Sequence, residues 1–199
     1  MNRGVITISE SGTVSMPTDT VWMTMQEIAD MYNVFGCYVR KAVKAIVEGG
    51  KERYHSVFEG LKQTSDADYV LIHDGARPFV NQDIIRRCMQ EVQKYQACVV
   101  GMPVKDTIKI ADEEGYAKQT PDRKNVWMIQ TPQTFSYALI YEAYEEMLKT
   151  EDTAITDDAM VLERIKGKKS KLIEGSYRNI KITTPEDLLI ANVYLQHPE

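Results

Sequence analysis

The run Tyr69-Val-Leu-Ile-His-Asp-Gly-Ala-Arg-Pro-Phe-Val80 constrains this chain more than any other stretch. An apolar segment, Tyr69 to Ile72, stops at His73-Asp74, turns at Gly75 and carries Arg77 ahead of Pro78. Short apolar runs that end in a charge and a glycine are the pattern of a buried parallel strand entering a loop. In open α/β sheets, ligands bind in the crevice beyond the carboxyl ends of the strands. A carboxylate and a guanidinium at such a strand end suit a metal–phosphate or sugar-phosphate ligand. A salt bridge internal to the loop is the competing reading, and this stretch alone leaves both open.

Composition narrows the class. At 199 residues, with 43% hydrophobic and 27% charged residues, the chain has the make-up of a soluble globular protein with one sizeable core or two small ones. A formal net charge of −5 argues against general nucleic-acid binding, although not against a local basic patch. Cys37, Cys88 and Cys98 are odd in number and lack C-x-x-C spacing, so neither a disulfide framework nor a zinc site is indicated. A reducing cytoplasm fits this usage. No secretory leader pattern opens the sequence and no apolar run approaches membrane-spanning length.

Along the chain, residues 1 to about 20 alternate loosely (Val5, Ile6, Ile8, Val14) and predict a short hairpin or arm. Thr24-Met-Gln-Glu27 is a capping-box signature. Two helical patterns follow, separated by Asn33-Val-Phe-Gly36, so that residues 24–47 resemble a helix-turn-helix unit with Arg40, Lys41 and Lys44 on its second helix. An αα-hairpin with a solvated basic face is the plainer reading. Beyond Gly49-Gly50, a helix holding Ser56, Val57 and Leu61, the strand 69–72, a helix from Asn81 or Gln82, and the apolar strand 97–102 give the alternation of βαβ units and a parallel sheet.

Residues 103–110 alternate polar and apolar as a half-exposed strand does, and Tyr116 to Thr120 predicts its antiparallel return. Together they form a projecting β-arm. Trp127 to Gln130 predicts a short strand ended by Thr131-Pro132-Gln133. Residues 137–149 predict a helix, Thr156-Asp157-Asp158 the start of another, and 171–174 and 179–183 two strands. Asp157 and Asp158 are read as helix-start charges. Thr184-Pro185-Glu186-Asp187 opens the last helix with a capping box.

Several motifs thus stand in one order: Gly50-x-x-Arg53-x-x-Ser56, His73-Asp74-Gly-Ala-Arg77-Pro78, Pro103-Val-Lys-Asp106-Thr107-Ile-Lys109, Gln130-Thr131-Pro132-Gln133-x-Phe135, Thr156-Asp157-Asp158-Ala159 and Asn179-Ile-Lys181-Ile-Thr183-x-Pro185-Glu-Asp187. From about residue 46 onward this run closely resembles the 2-C-methyl-D-erythritol 4-phosphate cytidylyltransferases of the non-mevalonate isoprenoid pathway. The resemblance implies an α/β fold with a Rossmann-like nucleotidyltransferase sheet and a β-arm, and cytidylyl transfer from CTP to the sugar-alcohol phosphate. Residue by residue, it implies nucleotide binding by Gly50, Arg53 and Ser56. It implies sugar-phosphate binding by Arg77, Thr107, Arg123, Thr131 and Thr156, and catalytic roles for Asp74 and Lys181. Mg2+ would be held through Asp74, and the arm 103–126 would cross to a second subunit of a homodimer. A ribitol-5-phosphate cytidylyltransferase is the near alternative, and an inactive fusion that binds DNA or a partner through 24–47 the distant one.

Phosphoryl-type transfer asks a protein for positioning and for cations around developing negative charge, which Arg53, Arg77, Arg123 and Lys181 would supply. His73 reads as a residue that orients its loop. The front of the family pattern is missing, however. Residues 1–46 hold only Gly4, Gly12 and Gly36, widely separated, where the family has a glycine-rich phosphate loop with an arginine and a lysine. The chain therefore divides, on sequence, into a helix-turn-helix-like segment 1–46 and an N-terminally truncated α/β domain 47–199. Losing one oxyanion-type donor costs about 2.7–4 kcal/mol of transition-state stabilisation, so loss of the whole loop predicts weak catalysis.

Overall fold

In a computed structural model of the chain, residues 49, 51–150 and 155–197 are described, together with the backbone of two short strands, β1 (Thr7–Ile8) and β2 (Val14–Ser15). β1 and β2 pair antiparallel as the expected N-terminal hairpin. Gly50 and the helix-turn-helix-like segment 24–47 lie outside the described residues.

The chain divides into two compact units, one of residues 1–47, 75–79 and 180–199 and one of residues 48–74 and 80–179. The second unit is built on a four-stranded sheet. Its elements are α1 (Arg53–Lys62), β3 (Tyr69–Ile72), α2 (Gln82–Tyr95), β4 (Ala97–Pro103), β5 (Ile110–Ala111), β6 (Ala117–Gln119), β7 (Trp127–Ser136), α3 (Tyr137–Met147), α4 (Asp158–Lys166) and β8 (Lys171–Glu174). The sheet order is β3-β7-β4-β8, with β4 and β8 parallel and β7 antiparallel to both β3 and β4.

Strand β4 shows why this sheet carries helices on both faces. Its residues are buried from Ala97 to Met102, so the strand reads as continuous apolar sequence, with no polar alternation. Ala97 and Val99 point to one face, into a core with Leu61 of α1, Phe135 of β7, Ile140 and Tyr144 of α3, and Leu162 of α4. Cys98 and Val100 point to the other, against Ile84, Cys88 and Val92 of α2 and Ile173 of β8. Helix α2 is started by Asn81, whose side chain accepts from the Ile84 N–H at 3.0 Å, and stopped by Gln96 in the left-handed conformation. Fully burying aliphatic side chains of this kind stabilises by about 1.5–3 kcal/mol each, which makes this two-sided core the main source of the unit's stability.

Four expectations are corrected. The strand 69–72 is only partly buried, and its partner β7 runs antiparallel, not parallel. An apolar run records burial, whereas strand direction is set by which distant segment arrives beside it. Residues 104–109 form no ladder, and the arm pairs only Ile110–Ala111 with Ala117–Gln119, residues 105–120 being exposed. Strand β7 does not stop at Thr131 but continues through Pro132 to Ser136. The ladder allows this because the register with β4 jumps from Ile129 opposite Gly101 to Gln133 opposite Val99, leaving Gln130 to Pro132 in a bulge. A proline without an N–H is tolerated at such a place; the Thr131–Pro132 bond is cis. Finally, residues 179–183 form no strand.

In the first unit, apart from β1 and β2, the described residues are 75–79 and 180–197. Helix α5 (Pro185–Gln196) begins with the expected capping box, Thr184 and Asp187 each reaching the other's backbone, and with Pro185 in the first turn. Ile182 N–H donates to the Ala76 carbonyl at 2.8 Å, and Phe79 meets Tyr194 of α5 edge to face at 5.5 Å. Among the described residues no helix is long and apolar enough to cross a membrane.

Candidate functional site

In the second unit, the site grows from the bulge in β7. Gln130, Thr131 and Gln133 are buried polar residues, and each finds partners inside the protein. Thr131 Oγ1 accepts from the Asp74 N–H at 3.0 Å and lies 2.9 Å from His73 Nδ1. It thereby ties the end of β3 to the bulge and presents the Asp74 side chain, which is 16% exposed. His73 thus has the loop-orienting part expected of it. The bulge is held from behind by fully buried Asn179, whose Nδ2 donates to the Thr131 carbonyl at 2.9 Å, and by Gln130, whose Nε2 donates to the Ser176 carbonyl at 2.8 Å.

Arg53 enters from the first residue of α1. Its guanidinium makes a bidentate pair with Asp158, Nη1 to Oδ1 at 2.9 Å and Nη2 to Oδ2 at 2.7 Å, and Nη2 stands 3.8 Å from Asp74 Oδ1. Asp158 is wholly buried at the start of α4 and also accepts from the Tyr144 hydroxyl. The hydrogen bonds to Asp158 outweigh partial burial and raise the Arg53 pKa above its already high ordinary value. Burial, reinforced by the Asp158 carboxylate, pushes the Tyr144 hydroxyl up as well, so it stays a donor. Beside this pair, Asp157 caps α4 by accepting from the Met160 N–H at 2.8 Å, and Gln133 joins cap to strand, donating to Asp157 Oδ2 at 3.1 Å and accepting from the Ala159 N–H at 2.9 Å.

Of the residues singled out on sequence, the second unit therefore brings Arg53, Asp74 and Thr131 together. Ser56, one turn along α1 from Arg53, has its hydroxyl 3.5 Å from the Glu52 carbonyl. Thr156 is exposed just ahead of α4; it is Asp157, not Thr156, that caps the helix. Thr107 and Arg123 lie on the arm, where Arg123 Nη1 donates to the Lys105 carbonyl at 2.8 Å. In the first unit, Arg77 and Lys181 are each one residue from the Ala76–Ile182 hydrogen bond, which sets the two cation-bearing backbones side by side.

Asp158 does stand in the first turn of its helix, as read, but its carboxylate is turned inward, wholly buried and paired with Arg53. Nothing in Thr156-Asp157-Asp158 distinguishes the carboxylate that caps from the one that is buried; only the apolar sequel Ala159, Val161, Leu162 hints that this turn faces inward. Gln133, Tyr144 and Asn179 were not assigned parts in the site, because buried polar side chains carry no local signature.

Among the described residues no group of three or more His, Cys, Asp or Glu is placed to hold a metal ion. A single half-shielded carboxylate such as Asp74 fits a Mg2+ that arrives on a polyphosphate and keeps most of its oxygen ligands from it, and does not fit a resident metal.

A helix-covered sheet that joins the Arg53 guanidinium, the Asp74 carboxylate and the buried Thr131 hydroxyl at one strand bulge suits an α/β enzyme of the nucleotidyltransferase class. The family model described as 2-C-methyl-D-erythritol 4-phosphate cytidylyltransferase matches residues 12–197. A relative of that name from Lachnospira eligens is 55% identical over 152 residues, covering 76% of this chain and 67% of the relative. Another, from Clostridium botulinum, is 44% identical over 198 residues, covering 96% of this chain and 83% of its own. The crystal structure of 4-diphosphocytidyl-2C-methyl-D-erythritol synthase from Anaerococcus prevotii superposes with a TM-score of 0.73 at 38% identity, covering 81% of this chain and 73% of that one. The chain belongs to the 2-C-methyl-D-erythritol 4-phosphate cytidylyltransferase family.

Proposed function

We propose that this protein transfers the cytidylyl group of CTP to 2-C-methyl-D-erythritol 4-phosphate, forming 4-diphosphocytidyl-2-C-methylerythritol and releasing pyrophosphate. A phosphate oxygen of the acceptor attacks the α-phosphorus of CTP, and the bond to the bridging oxygen of pyrophosphate breaks. The observation that carries the reading is the joining of Arg53, Asp74 and Thr131 at the bulge of β7 in a chain of this family. Arg77 and Lys181 are assigned to the transferring and acceptor phosphates, Thr107, Arg123, Thr131 and Thr156 to the acceptor, and Gly50, Arg53 and Ser56 to the nucleotide. Asp74 would hold a Mg2+ carried by the triphosphate, which would supply charge neutralisation there. The remaining catalytic demand is electrostatic, a fixed set of cations around charge that moves from the acceptor to pyrophosphate.

The working form is assigned as a cytoplasmic homodimer joined through the arm 103–126. The arm exposes Ile108, Ile110 and Tyr116, the last 70% accessible, on a surface that an isolated subunit has no reason to leave apolar. Release of pyrophosphate from CTP tests the reaction. It is expected with methylerythritol phosphate and not with ribitol 5-phosphate. Release with ribitol phosphate alone, or with neither acceptor, overturns the reading.

A further inference from the structure

Helix α4 is started from two directions. Asp157, the residue ahead of it, accepts from the Met160 N–H with one carboxylate oxygen at 2.8 Å, and its other oxygen accepts from Gln133 Nε2 at 3.1 Å. Gln133 Oε1 in turn accepts from the Ala159 N–H at 2.9 Å. One amide side chain of β7 thus satisfies a first-turn N–H that has no partner within the helix, and also grips the residue that satisfies the next. Gln133 is 1% exposed, and a buried amide costs free energy unless both its ends are paired. The pairing has only one sense. A backbone N–H cannot accept and a carboxylate cannot donate, so the amide oxygen must face Ala159 and the amide nitrogen Asp157.

We infer that Gln133 is a positioning residue for the acceptor phosphate, fixing the turn that carries Thr156 to the strand that carries Thr131. The inference rests on the assignment of those two threonines to the acceptor. Thr131 stands two residues before Gln133 in β7, and Thr156 one residue before Asp157. The body of α4 is held by other means. Ala159, Val161 and Leu162 lie in the apolar core, and Asp158 has its own bonds to Arg53 and Tyr144. Gln133 is left with the turn itself. Loosening it displaces Thr156 and spares Arg53, so the effect falls on the acceptor and not on CTP.

The test reverses the polarity of the pair. Asp157→Asn keeps an oxygen to cap Met160 and sets an NH2 group against that of Gln133, so donor meets donor. Adding Gln133→Glu restores the match at unchanged net charge, with carboxylate oxygens at position 133 accepting from the Ala159 N–H and from the new amide. Gln133→Met removes both bonds at similar volume. Pyrophosphate release is followed with CTP and 2-C-methyl-D-erythritol 4-phosphate varied in turn. KM for methylerythritol phosphate is expected to rise about tenfold in D157N and in Q133M, the scale on which paired polar neighbours couple. In the double variant it is expected to return to within about threefold of the unsubstituted value, and KM for CTP to stay within about threefold throughout. If Q133M does not fold, D157N and its double variant decide alone. A merely structural clamp would lower the melting temperature and leave the acceptor KM where it was. That result, an equal rise of both KM values, or a double variant no better than D157N overturns the inference while the unsubstituted chain still transfers. No pyrophosphate release by the unsubstituted chain overturns the functional reading, and the inference with it.

Discussion

Tyr144 places a hydroxyl inside a hydrophobic core, where it has no accessible surface, and the reason is Asp158. Its ring stacks near Phe58, at 6.2 Å between centroids, and lines the core beneath α3 and α4. Replacing it by phenylalanine keeps that packing and removes one donor from a buried carboxylate. Hydrogen bonds to charged groups contribute about 1.5–3 kcal/mol, so Y144F is expected to lower the unfolding free energy by about that amount in urea titration. A change below about 0.5 kcal/mol would show that Arg53 alone satisfies Asp158. At this scale the sequence was partly legible. Arg53, Asp74 and Thr131 stood out because they occupy family motifs, and they do meet. Asp158, Gln133 and Asn179 stand in the same motifs but were given no part in the site, because burial of a polar residue is decided by segments that arrive from tens of residues away. Arg53 and Asp158, for example, are 105 positions apart.

Among the elements, helix boundaries were the most legible, because caps are local chemistry. The Thr184–Asp187 box shows it well. Asp187 accepts from the backbone N–H groups of Thr183 and Thr184, which hold its carboxyl below the usual aspartate range. A depressed carboxyl stabilises the folded helix start fully above the unfolded-state pKa and loses that contribution as pH falls through the lower folded-state value. The amides of Thr183 and Thr184 are therefore expected to lose protection on acidification below the ordinary aspartate range. In Asp187→Asn that pH dependence disappears, as amide exchange followed by NMR would report. Strand β7 was the least legible element. Its proline marks an end by every local rule, yet the bulge opposite Val99 and Gly101 lets the strand run past it. The direction of β3 was misjudged for the same kind of reason, since an apolar tetrapeptide says nothing of which neighbour it will meet.

For the whole molecule, the exposed apolar residues of the arm carry the expectation about assembly. Ile110→Lys and Tyr116→Ser together are expected to shift the protein from dimer to monomer in sedimentation velocity, because charge and polarity replace the apolar surface the arm would bury. A wild-type chain that sediments as a monomer at micromolar concentration would remove the arm as an interface. Fold class, helix count in the second unit and the projecting arm all followed from periodicity and motif order. The antiparallel centre of the sheet did not, because it depends on which distant strands come together. The length of β7 has one more effect. Its Gln133–Ser136 half is laddered to β3, and β4 flanks both halves, while its Trp127 end leads back to the arm, which is clasped at its root by Val104 N–H to the Val126 carbonyl at 3.0 Å and by Arg123 Nη1 to the Lys105 carbonyl at 2.8 Å. Deuterium should therefore enter the arm within seconds to minutes and reach Phe135 only when the whole unit opens, with Gln130 and Thr131 at the frontier between the two regimes. A ligand that braces the bulge should advance that frontier toward the arm, so isotope uptake at Ile129 and Met128 becomes a gauge of occupancy that needs no turnover.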